Sequence, residues 1–279
     1  MAEKDSLMYI SGENLYITSK YDRAIEVFKS YINEFPNGSF KQNASYYLAE
    51  SLRSTGNTDE ALRYFIEVSG EPNNQFMEQS LLAAASILFD KEDYEESLVY
   101  YEKLEKVALN KGNKLIAYKG ELRSAYQAGD AQKTIIAAGK INNFIDIPVE
   151  LSREATFMSA KANYSLNNFE EALKEFQKVA TEVISIEGAE SKFRVAELLN
   201  KKGLTTESEK TISEFIDQNT PHQYWMARMF LLLADISLKK GDSLQARATL
   251  QSLKDYYSID NDGILDEVKA KLDSLNEKM

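Results

Sequence analysis

The chain has 279 residues, 43% of them hydrophobic and 28% charged, with 33 basic residues against 44 acidic ones and no cysteine. This is the composition of a folded protein with a sizeable core rather than a disordered one. Without cysteine there are no disulfides, thiol nucleophiles or thiolate metal sites, and the redox compartment stays open. The net charge of −11, with cations grouped only in pairs such as Lys201 with Lys202 and Lys239 with Lys240, argues against nucleic acid, which needs clustered cations to displace counterions. The opening Met1-Ala2-Glu3-Lys4-Asp5 is charged and unlike a signal peptide. No apolar run approaches the ~20 residues of a membrane helix; the most apolar window, 226–238, is interrupted by Arg228 and Asp235.

In chain order, one phrase recurs. It reads Tyr21-Asp22-Arg23-Ala24-Ile25-Glu26-Val27-Phe28, then Thr58-Asp59-Glu60-Ala61-Leu62-Arg63-Tyr64-Phe65. It returns as Tyr94-Glu95-Glu96-Ser97-Leu98-Val99-Tyr100-Tyr101 and as Phe169-Glu170-Glu171-Ala172-Leu173-Lys174-Glu175-Phe176. Weaker copies put the small or short residue at Thr134, Ser208 and Ala246, so the spacing is 36 to 38 residues throughout. Such a period predicts a solenoid of helical hairpins. The predicted repeats cover 5–37, 41–73, 77–111, 114–147, 151–187, 188–220 and 222–258. A capping helix follows at 262–277, so that 1–279 reads as a single solenoid domain.

Each repeat reads as two helices around a short turn: Gly56-Asn57, Lys91-Glu92-Asp93, Gly129-Asp130, Asn167-Asn168, Lys202-Gly203 and Gly241-Asp242. Gly and Asn tolerate the left-handed backbone that ends a helix, and Asp caps the next. The links between repeats carry the prolines, in Phe35-Pro36-Asn37-Gly38, Glu71-Pro72-Asn73-Asn74, Ile147-Pro148 and Thr220-Pro221. Small residues let the paired helices approach: Ala61 or Ala172 on one, and Gly12, Ala49, Ala85, Ala160, Ala196 or Ala234 on the other. The fourth repeat fits least well, with Leu122 at the small position.

This pattern resembles the tetratricopeptide repeat family over nearly the whole chain, through Gly12, Leu15, Tyr21, Ala24, Phe28 and Pro36, and through Leu48, Ala49, Leu52, Ala61 and Phe65. The resemblance implies an all-α, right-handed superhelix of about seven hairpins and a protein-binding role. The period exceeds the family's usual ~34 residues, which implies slightly extended helices or links. The link Phe35-Pro36-Asn37-Gly38-Ser39, leading into Ala44, Tyr47, Leu48 and Ala49, resembles the bacterial cell-envelope branch, which includes the outer-membrane assembly lipoprotein and the Tol–Pal-associated coordinator of wall synthesis. That likeness covers the first two repeats. It implies a periplasmic or outer-membrane-associated setting if the chain is a fragment lacking its signal peptide, and a cytoplasmic one otherwise.

Residues for chemistry are sparse. The single histidine, His222, follows Pro221 at a helix start and reads as a solvated or capping residue. No Ser–His–Asp set, zinc ligand set or Gly-rich phosphate loop occurs, so neither catalysis nor a cofactor nor a metal is expected. The stretch Ser258-Ile259-Asp260-Asn261-Asp262-Gly263 resembles part of a calcium loop, but Ser258 and Lys269 stand where the first and last acidic ligands belong. It reads as a helix start capped by Asp262. The pairs Glu95 with Glu96 and Glu170 with Glu171 recur at one place in the repeat, as solvated helix N-termini do.

A solenoid exposes a groove lined by its first helices. The triplet Tyr9–Glu13–Tyr16 continues as Tyr46–Glu50–Arg53, Leu82–Ser86–Phe89 and Lys119–Arg123–Tyr126, then as Phe157–Lys161–Tyr164, Phe193–Glu197–Asn200 and Leu231–Asp235–Leu238. By the resemblance, Tyr16, Tyr46, Arg53, Phe89, Arg123, Tyr126, Phe157, Lys161 and Tyr164 are groove positions for a protein or peptide partner. The first members, Tyr46, Phe157 and Phe193, also fit simple packing between repeats. Arg53, Arg123 and Lys161 suit an acidic ligand. Tyr9, Glu13, Tyr46 and Glu50 replace the Lys and Asn of a chaperone-tail clamp. At the N-terminal end, Leu7, Ile10 and Ile17 await either further repeats of a longer chain or a second copy in a homodimer. A protein-interaction scaffold is the expected function; the alternative is a structural spacer with the binding site elsewhere.

Overall fold

The computed structural model describes residues 2–72 and 74–276, with side chains from residue 4 onward. Asn73 of the second link and Glu277 of the capping helix lie outside the described residues. The first eight helices are α1 (Ala2–Ile17), α2 (Tyr21–Glu34), α3 (Lys41–Ser54), α4 (Thr58–Gly70), α5 (Met77–Asp90), α6 (Tyr94–Val107), α7 (Lys111–Gln127) and α8 (Ala131–Asn142). Then come α9 (Val149–Ser165), α10 (Phe169–Val179), α11 (Ile186–Lys201), α12 (Thr205–Asp217), α13 (Gln223–Lys239), α14 (Ser243–Tyr256) and α15 (Ile264–Asn276). No strand occurs among the described residues. The chain divides into two compact units, Met1–Phe144 and Ile145–Met279. The first holds four hairpins, the second three hairpins and α15.

The turns explain the period. Ser19, Glu92 and Asn167 have φ of 55°, 62° and 61°, and Gly56, Gly129, Gly203 and Gly241 have φ of 75–82°. All seven sit between the two helices of a hairpin, so one left-handed residue reverses the chain in each repeat. Only glycine occupies that region without penalty. Glu92 is exposed, so its side chain offers nothing in return. The Glu92→Gly variant is therefore expected to be more stable by about 1 kcal/mol, read as a higher denaturant midpoint at unchanged slope. An unchanged or lower midpoint would show that the turn is not strained.

The small residues act as expected. Ala24, Ala49, Ala61, Ala85, Ala172, Ala196, Ala234 and Ala246 are buried against their partner helices. Where the second helix carries Ser, the approach is close enough for a hydrogen bond: Ser97 Oγ donates to the Ala85 carbonyl at 2.8 Å, and Ser208 Oγ to the Ala196 carbonyl at 2.8 Å. A Cβ on Gly12 would stand 2.6 Å from the Phe28 ring, so that position holds no larger residue. In the fourth repeat Leu122 is fully buried. A different close approach, between hairpins, lies at Gly120, where a Cβ would stand 2.3 Å from Tyr101 of the preceding hairpin.

The helix starts mix side-chain and backbone solutions. Asp130, Ser185 and Asp242 accept amide hydrogen bonds as caps, whereas Asn57, Asp93 and Asn168 do not. The boundary expected between 187 and 188 lies instead before Ile186, because Ser185 Oγ accepts from Gly188 N at 3.0 Å and so starts α11 two residues earlier. Asp262 caps α15, accepting from Ile264 N at 3.1 Å. That helix buries Ile264, Val268, Leu272 and Leu275, while Leu265 is half-buried at the edge of the stripe. On α1, Leu7, Ile10 and Ile17 are exposed.

Candidate functional site

In the first unit, the first-helix face (α1, α3, α5, α7) is built of aromatic stacks that bridge hairpins. Tyr9 lies parallel to Phe40 at 4.6 Å, and Tyr46 to Phe76 at 4.2 Å. Phe40 and Phe76 are the N-cap residues of the next first helices, so each stack sets the spacing of one repeat on the next. Tyr46 also meets Phe65 edge-on at 6.2 Å. Burial, with the nearby Glu50 carboxylate, raises the Tyr46 hydroxyl pKa well above its ordinary value. The last members of the triplets pack across the turn inside their own hairpins: Tyr16 on Tyr21 at 5.8 Å and Phe89 on Tyr94 at 5.2 Å. Tyr16 also meets Tyr47 at 4.9 Å.

The cations of this face are already matched. Arg53 donates to Glu50 Oε2 at 2.6 Å, and its guanidinium lies 5.9 Å from the Phe65 ring centre. Arg123 and Tyr126 are half-buried on α7. The Arg123 charge opposes the rise that burial imposes on the Tyr101 hydroxyl.

In the second unit, the first helices α9, α11 and α13 carry a continuous ladder. Lys161 Nζ lies 5.3 Å from the Phe157 ring and 3.3 Å from Glu190 Oε1. Arg194 is held between the Tyr164 ring at 5.2 Å and the Phe193 ring at 5.5 Å. It donates to Glu197 Oε2 at 2.9 Å, an atom that also accepts from the Tyr164 hydroxyl at 3.2 Å. Arg228 also lies 5.4 Å from the Phe193 ring and pairs with Glu267 at 2.8 Å. Lys271 then joins Asp235 at 2.6 Å. Burial would lower the Arg194 pKa, but Glu197 and Glu190 outweigh it and hold the charge more firmly. Phe157 also meets Phe176 edge-on at 6.3 Å, and Tyr164 meets Phe169 at 5.5 Å.

Phe157, Lys161 and Tyr164 thus share one surface within the second unit, while Phe193 is buried and packs on Trp225 at 5.6 Å. The groove reading did not single out Arg194, Glu190 or Arg228. The spacing Glu190–Arg194–Glu197 (i, i+4, i+7) was the available signal, since such residues share a helix face. His222 does more than cap: its Nε2 lies 2.9 Å from the Ile184 carbonyl oxygen, tying two links together. Of the paired N-terminal carboxylates, Glu170 accepts from Lys202 Nζ at 2.6 Å, and Asp59 in the first turn of α4 pairs likewise with Lys91. In both, the lysine belongs to the turn of the following hairpin. The tie pulls the Glu170 pKa below its usual value.

Residues 43–71 and 78–111 each match a family model described as tetratricopeptide repeat. These two stretches are similar to tetratricopeptide repeats. No curated protein matches it at a significant level. Among solved structures it is similar to the C-terminal part of a TPR repeat-containing protein from Cytophaga hutchinsonii, at 14% identity and TM-score 0.60, over 93% of this chain and 98% of that one. It is also similar to a chain in the structure of Naa15/Naa10 bound to HypK-THB, at 13% identity and TM-score 0.57, over 97% of this chain and 39% of that one. At these identities the likeness concerns the fold, which is that of a tetratricopeptide repeat solenoid.

Proposed function

We propose that this repeat chain is a non-catalytic scaffold that binds a protein partner through an extended or helical segment laid on its first-helix face. The observation that carries the reading is the Tyr164–Arg194–Phe193–Arg228 ladder. It sets arginines with paired charges beside the half-buried Tyr164 ring and the buried Phe193 ring, and aromatics and arginines dominate binding energy in protein interfaces. Because Lys161 and Arg194 already hold glutamates, the face favours a ligand that adds its own counter-charges over a purely acidic tail. The resemblance of the first two repeats supports a bacterial cell-envelope setting.

The test is affinity capture from cells with the wild-type chain and with Tyr126→Ala plus Tyr164→Ala, after confirming equal helicity. Loss of specific envelope partners from the variant is the expected result. Equal capture by both would leave the chain a spacer with its binding surface elsewhere. Capture of cytosolic proteins alone would remove the envelope placement.

A further inference from the structure

The opposite ends of the second-unit helices form an edge unlike the first-helix face. Ile145, Val149, Ile184, Ile186 and Tyr256 are 72%, 65%, 69%, 58% and 85% exposed there. Soluble proteins rarely leave such a row uncovered without a partner for it. Side chains join the row into one surface. Arg153 Nη1 donates to Glu182 at 2.6 Å, linking the start of α9 to the next link. Thr220 Oγ1 donates to the Val183 carbonyl at 2.7 Å, and His222 holds Ile184. A crevice of about 390 Å³ between Met226, Phe230, Tyr256 and Tyr257 continues the edge to the last link. Another of about 410 Å³, lined by Ile147, Val149 and Val179 with Arg153 and Lys178 at its wall, opens near its start.

The links along this edge are acidic. The segments 145–150, 181–187, 217–222 and 255–263 contain eight carboxylates and no lysine or arginine. Arg153 serves Glu182 and Glu187. Asp146, Asp217 and Asp260 are exposed and pair with no cation among the described residues. An anionic lipid surface would be repelled. A second copy docking through the same edge would set carboxylates against carboxylates.

From the apolar row and its acidic border we infer a second docking surface on this edge, fitted to a basic amphipathic helix of a partner protein. Its aliphatic or aromatic side chains would enter the two crevices, and its lysines or arginines would meet Asp146, Asp217 and Asp260. This surface is separate from the first-helix face and stands whether or not that face binds.

The experiment titrates the full chain with a fluorescent synthetic helix bearing leucines on one face and lysines on the other. A matched peptide with glutamate for lysine is the control. The lysine peptide is expected to bind, with affinity falling steeply between about 0.05 and 0.5 M salt as the charges are screened. The glutamate peptide is expected not to bind. Ile184→Ser plus Ile186→Ser removes exposed side chains only, and is expected to weaken the lysine peptide by at least about ten-fold at unchanged Tm. Tyr126→Ala plus Tyr164→Ala is expected to leave it unchanged. Equal affinity of the serine variant, or binding of both peptides, would overturn the proposal. So would wild-type sedimentation with zwitterionic vesicles that the serine variant loses, since the edge would then be a lipid surface.

Discussion

Replacing Phe65 with alanine is expected to cost about 3–5 kcal/mol, among the largest single effects in the molecule. Phe65 is fully buried on α4. Its ring meets the edge of Tyr46 at 6.2 Å and lies 5.9 Å from the Arg53 guanidinium. Alanine would leave a cavity at the point where α3 and α4 close on each other, and would remove one side of the wall that holds Tyr46 against Phe76. In a solenoid each repeat is stabilised chiefly by its neighbours, so the damage should be local. Hydrogen exchange is expected to quicken in α3, α4 and α5 and to stay unchanged in the second unit. A loss under about 1 kcal/mol, or protection lost evenly over both units, would contradict this account of the core.

The second large effect is a dependence on pH. Glu121 on α7 is buried, with a side chain 4% exposed. Its Oε2 accepts from Lys140 Nζ at 2.8 Å, its Oε1 has no hydrogen-bond partner, and Glu105 of α6 takes the same lysine at 2.6 Å. One cation therefore serves two carboxylates. Burial raises the Glu121 pKa to about 7; Lys140 opposes the rise and Glu105 adds to it. A carboxyl whose pKa is higher folded than unfolded stabilises fully below the unfolded value and loses that stability as pH climbs through the folded one. The wild type should thus lose about 2–3 kcal/mol from this site between pH 4.5 and 8. Glu121→Gln keeps the shape, leaves Lys140 with Glu105, and has no proton to lose. It is expected to match the wild type near pH 5 and to exceed it by a few kcal/mol at pH 8, with a flatter profile. Parallel profiles for the two proteins would refute the assignment.

Much of the fold is legible because it depends on local sequence. The phrase around Ala24, Ala61, Ser97 and Ala172 reports one requirement, a close helix contact beside a large buried ring. The turns at Gly56, Gly129, Gly203 and Gly241 report another, a left-handed residue. The Glu92 and Ser19 turns were harder to read, since neither residue type advertises that backbone. The start of α11 was displaced by two residues because the Ser185 cap outweighed the repeat's average spacing.

The candidate face was legible only in part. Period and helix geometry placed Tyr16, Tyr46, Phe89, Phe157 and Tyr164 on the first helices. They could not say that Tyr46 is held by Phe76, or that Tyr16, Phe89 and Tyr164 lean on the aromatic that opens their own second helix. Arg194 sits in no triplet, yet it joins two rings and two glutamates. Its neighbours come from α9 and α11 together, and only stacking of the hairpins brings them within reach.

The sequence by itself therefore determined the repeat, its helices, its turns and the small-against-large logic of its core, since each of these is satisfied within about one period. The tertiary structure decided which charges are already paired, why Glu121 is driven toward neutrality, and that Ile184, Ile186 and Tyr256 lie along one acidic edge. Those properties depend on distances between side chains that different helices bring together, and on how much water the packed helices leave around them.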